Sequence, residues 1–62
     1  INGITMSNIG KTVVLTYWPH NDNMKIGIQG KIVEESNRSI IVLWDGFMHP
    51  RGMKPEEISL LG

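Results

Sequence analysis

Few residues in this chain could carry chemistry, and their spacing narrows what that chemistry would be. His20 and His49 lie near Asp22 and Asp45, but these four show none of the ligand spacings of a zinc or transition-metal site. Asn21-Asp22-Asn23 lacks the alternating oxygen positions and the distal glutamate of a calcium loop. Glu34-Glu35 and Glu56-Glu57 are adjacent acids. Neighbours on a strand diverge, and acids behind a proline are ordinary helix-start residues, so neither pair forms an acid/base couple. Ser7, Ser36, Ser39 and Ser59 occupy no nucleophile-elbow context. Gly27-Ile28-Gln29-Gly30 lacks the lysine and the helix of a phosphate loop. The chain has no cysteine, which removes thiol nucleophiles, disulfides and cysteine-based zinc sites together. The expectation is therefore a non-enzyme with no metal and no cofactor.

What remains is chemistry of contact. Tyr17, Trp18, His20, Phe47, Met48 and Arg51 fall in or beside expected loops, and aromatic, methionine and arginine side chains are the types that anchor interfaces. Lys25, Lys31, Arg38, Arg51 and Lys54 form a second set. With Trp18 or Phe47 stacking on bases, they would serve a nucleic-acid surface. Six basic residues balance six acidic ones, however, so no global field draws the chain to phosphate. Trp44 reads either as a binding aromatic or as core filler, and the volume a small core needs favours the second.

The elements that hold these residues are read from pattern. Sixty-two residues allow one domain, with 40% hydrophobic and 19% charged residues, a globular composition. A chain this short hides only about 60% of its unfolded surface, so good packing or self-association must supply stability. Residues 1–9 show no period and read as an arm, leaving residues 10–62 as the folded domain. Residues 11–17 form the first expected strand, ended by Trp18-Pro19. Residues 18–27 make a long loop in which His20-Asn21-Asp22-Asn23 can bond their own backbone, the first place to look for function.

Residues 28–35 form the second strand, with Ile28, Gly30 and Ile32 on one side and Gln29, Lys31 and Glu35 on the other. Gly30 inside it marks a sharp bend or a close backbone approach. Ser36-Asn37-Arg38 is a short polar turn into the third strand, residues 39–45. That strand is apolar on both sides at Ile40, Ile41, Val42, Leu43 and Trp44, which predicts cover on both faces, from the arm or a second copy of the chain. A fourth, edge strand is expected within residues 46–52, then one helical turn at residues 54–58 and a closing strand at residues 59–61.

This order resembles the SH3-like barrel of SH3 domains, Tudor and KOW modules and retroviral integrase tails. The likeness spans residues 10–61. It rests on Gly27-Ile28-Gln29-Gly30-Lys31-Ile32-Val33, on Ile40-x-Val42-x-Trp44-Asp45-Gly46, and on Pro55-Glu56-Glu57-Ile58-x-Leu60. It implies an all-β fold, a five-stranded SH3-like barrel with one short 3-10 turn before the last strand. The aromatic motif with which SH3 domains take proline-rich peptides is absent from the first loop.

The leading functional expectation is a non-catalytic module that binds a protein partner through loop aromatics, in the manner of a small phage or bacterial accessory protein. The alternative is nucleic-acid binding, as KOW and integrase-tail barrels imply. A third reading is an enzyme formed only by oligomerisation: type II dihydrofolate reductase is similar in length and barrel type, though its characteristic active-site segment is missing here. No apolar run reaches the roughly 18 residues of a membrane helix. Residues 1–10 lack the basic start and apolar stretch of a signal peptide, so a cytoplasmic location without membrane contact is expected.

Overall fold

The computed structural model describes residues 8–61. Five antiparallel strands form one curled sheet, a half-barrel, with the order β4-β3-β2-β1-β5. The strands are β1 (Thr12–Leu15), β2 (Gln29–Glu35), β3 (Ile40–Trp44), β4 (Arg51–Met53) and β5 (Ile58–Leu60), with a 3-10 turn at Pro55–Glu57 before β5. Among the described residues no helix is long and apolar enough to cross a membrane.

The β2–β3 hairpin is the spine. Its turn is closed by Ser36, whose backbone N–H donates to the Ser39 carbonyl at 2.9 Å. The Ser36 hydroxyl oxygen also accepts the N–H groups of Arg38 and Ser39. A serine that satisfies its own turn in this way fixes the register of the two strands it joins.

The concave side of the sheet buries Val13, Leu15, Met24, Ile32, Val42, Trp44 and Met53. Trp44 is the largest fully buried side chain, so it is core filler. Its Nε1–H has no hydrogen-bond partner among the described residues. Burying that donor costs about 1–3 kcal/mol against the large apolar gain of the ring. Gly30 explains how so bulky a ring fits. It pairs with Trp44 across the hairpin, and a Cβ at Gly30 would stand 2.7 Å from the Leu43 carbonyl oxygen and 2.9 Å from Trp44 Cε3. Only a residue without a side chain lets the backbones close that far.

Several expectations need correcting. The first strand ends at Leu15, because the N–H groups of Thr16 and Tyr17 turn to the Glu57 carbonyl instead of a neighbouring strand. The fourth strand is Arg51–Met53, and the fifth begins at Ile58, one residue early. Register shifts between Ile32 and Glu34, so Val33 is an extra residue in the ladder and Glu34 pairs with Ile41. The bulge moves Glu35 off the side of Gln29 and Lys31, opposite Ile40, where its carboxylate accepts the Asn8 backbone N–H at 3.0 Å and the Asn8 side-chain amide.

The cover expected over both faces of β3, from the arm or a second copy of the chain, falls outside the described residues. Leu43 is 38% exposed and Ile41 half-buried on the convex side. Residues 1–7 of the expected arm lie outside the described residues.

Candidate functional site

The long loop after β1 is anchored at both ends. Gly27 N–H donates to the Leu15 carbonyl and Leu15 N–H to the Ile28 carbonyl, which pinch residues 16–26 into a closed excursion from the sheet. Met24 from its middle is buried in the core, 5% exposed. A loop with an apolar plug holds its remaining side chains in place, which a solvated loop does not.

Asp22 is the hub of that loop. Its Oδ1 accepts the Met24 backbone N–H at 3.0 Å and the Trp18 indole Nε1–H at 2.9 Å. Its Oδ2 accepts Arg51 Nη2 at 2.9 Å, from the first residue of β4. The Met24 N–H, the Trp18 N–H and the Arg51 guanidinium all favour the ionised carboxyl, and together they lower its pKa from 3.8 to about 2. The Arg51 guanidinium carbon also lies 4.7 Å from the Trp18 ring centroid, a cation–π distance. The His20 ring meets the same indole in a T-shaped arrangement, with centroids 4.6 Å apart. Trp18 is half-buried and packs on the core. The sequence leaves open whether this residue faces solvent or closes one end of the barrel; it is neither fully exposed nor fully buried.

The structure thus brings together Trp18, His20 and Arg51 from the expected partner-binding set. Phe47 packs against the same core as Trp18. Tyr17 is 55% exposed, and Met48 is 89% exposed in the loop leading to Arg51. Asp22, which organises this cluster, is not in the set the sequence singles out for partner binding. Its visible signal was the ability of an Asx side chain to bond the backbone two residues on, here Met24.

The basic set is dispersed by comparison. Arg51 pairs with Val42 and shares its side of the sheet, whereas Lys31 pairs with Leu43 on the convex side. Arg38 sits in the β2–β3 turn, Lys25 in the long loop and Lys54 just before the 3-10 turn. Among the described residues, Arg51 has a side-chain partner, with its charge directed to Asp22.

Chemically, the cluster has a carboxylate that accepts three donors and an indole whose N–H is already used. It offers an aromatic surface held by hydrogen bonds, an ion pair and a ring contact. No protein-family model matches the chain, and neither a curated protein nor a solved structure matches it.

Proposed function

We propose that this chain is a non-catalytic interaction module of the SH3-like barrel type that binds a protein partner through its loop side. The observation that carries the reading is the fixed Trp18: Asp22, Arg51 and His20 hold the indole in one orientation at the surface. An aromatic immobilised before binding loses little conformational entropy on association, which is how rigid aromatic anchors contribute affinity. Tyr17, next to it in sequence, and Met48, in the loop that leads to Arg51, supply exposed apolar area. The SH3-like assignment is supported by the strand order and by the 3-10 turn before the last strand.

The test uses immobilised chain to capture partners and compares two double variants of unchanged circular dichroism. Tyr17→Ser with Met48→Asp is expected to lose the captured protein, and Lys25→Glu with Arg38→Glu to retain it. The opposite pattern, or a captured nucleic acid released by raising the salt, would replace this reading with the nucleic-acid one.

A further inference from the structure

The convex face of the β2–β3 hairpin is apolar and charged in an ordered way. Val33 is 43% exposed and Leu43 38% exposed, and half-buried Ile41 lies over Gly52, with its Cδ1 3.6 Å from where a Gly52 Cβ would be. Two cross-strand pairs frame the patch: Lys31 opposite Leu43, and Glu34 opposite Ile41. Within these two pairs the charged residues stand on β2 and the aliphatic ones on β3, with opposite charges at the two ends of the row. The bulge at Val33 creates this arrangement, because without the shift Glu34 would share the concave side of Ile32.

Such a patch is complementary to itself. A two-fold axis parallel to the sheet, above its convex face and perpendicular to the strands, lays Lys31 of one copy on Glu34 of the other. The same rotation lays Leu43 on Ile41, and sets Val33 along the aliphatic stem of Lys31. Each charge pair then occurs twice, and the apolar rows meet each other. A chain of zero net charge meets no long-range repulsion from its own copy. From this charge and apolar complementarity we infer that the convex face of the β2–β3 hairpin is an isologous homodimer interface.

The interface lies across the sheet from the side that Arg51 shares with Val42. The dimer therefore leaves both Trp18 clusters free and presents two loop sites per particle. A patch built on three aliphatic side chains falls at the weak end of protein interfaces, so association depends on concentration.

Sedimentation equilibrium of the full chain between about 10 µM and 1 mM tests this, since that span covers weak dissociation constants. A monomer–dimer equilibrium is expected. Lys31→Glu and Glu34→Lys are each expected to weaken it at least about tenfold, because each places two like-charge pairs in the interface. The double variant Lys31→Glu with Glu34→Lys restores both pairs in reverse and is expected to recover the wild-type constant. All substitutions are at exposed positions, and circular dichroism checks that the sheet is retained. A monomer at every concentration, or a double variant that dissociates as readily as the single ones, overturns the inference.

Discussion

Arg51 stacks its guanidinium 4.7 Å from the centroid of the Trp18 ring while its Nη2 reaches Asp22 at 2.9 Å. One arginine thus ties the start of β4 to the long loop by its flat face and by its charge, contacts that a lysine cannot reproduce together. Arg51→Lys should keep the charge and lose the stacked plane. The expected outcome is a loosened loop with an intact sheet: faster proteolysis within residues 16–26, a changed Trp18 fluorescence spectrum, and unchanged circular dichroism. Proteolysis at the wild-type rate would show that Asp22 and Met24 hold the loop without Arg51.

Acid should act on the same cluster. Asp22 titrates near 3.8 when unfolded and at about 2 when folded, chiefly because of the Met24 N–H and then the Trp18 N–H. A lowered carboxyl pKa contributes stability that is complete above the unfolded value and disappears as pH falls through the folded one. The loss from this group therefore belongs between about pH 4 and pH 2, with nothing lost near neutrality. Asp22→Asn cannot titrate, so its denaturation midpoint should fall less across that window than the wild-type midpoint. Parallel curves for the two proteins would assign the acid sensitivity to other carboxylates.

Gly30 and Gly52 form a matched pair for testing the hairpin. A methyl group at Gly30 meets a backbone oxygen at 2.7 Å and two core side chains at 2.9 Å, and the oxygen cannot swing aside. Gly30→Ala should destabilise by about 1–3 kcal/mol, the usual cost of overpacking. At Gly52 the nearest neighbour is Ile41 Cδ1 at 3.6 Å, an ordinary contact. Gly52→Ala should therefore fall within about 0.5 kcal/mol of wild type. Urea denaturation of both variants checks the contrast, and equal effects would remove close approach as the reason for Gly30.

The hairpin was legible in the sequence because its signals are local. A β-branched run, a glycine inside the strand pattern and a polar serine turn are each read from a few consecutive residues. The bulge was not, since a one-residue slip leaves no mark where the extra residue, Val33, is as β-prone as Ile32 before it. Met24 in the core and Asp22 as hub were hidden for another reason. Local polarity marks residues 18–27 as a loop, but the contact that organises it comes from Arg51, 29 positions away. The loop aromatics could be named from composition alone, but their fixed geometry is a product of tertiary contacts.

Glu57 is the last case, a buried acid that the pattern presents as an ordinary helix-start residue. It is 6% exposed, and its Oε1 accepts the Lys54 backbone N–H at 2.8 Å, capping the 3-10 turn. Its own carbonyl accepts the Thr16 and Tyr17 N–H groups, so the turn is also what ends β1 and releases the loop that carries Trp18. Glu57→Ala should cost about 1 kcal/mol by stranding the Lys54 N–H. Glu57→Gln keeps an acceptor oxygen in the same place and should retain most of that stability. Thermal melts of the two variants separate the roles. If glutamine is as damaging as alanine, the carboxylate charge matters and the hydrogen bond alone does not account for burial of this side chain.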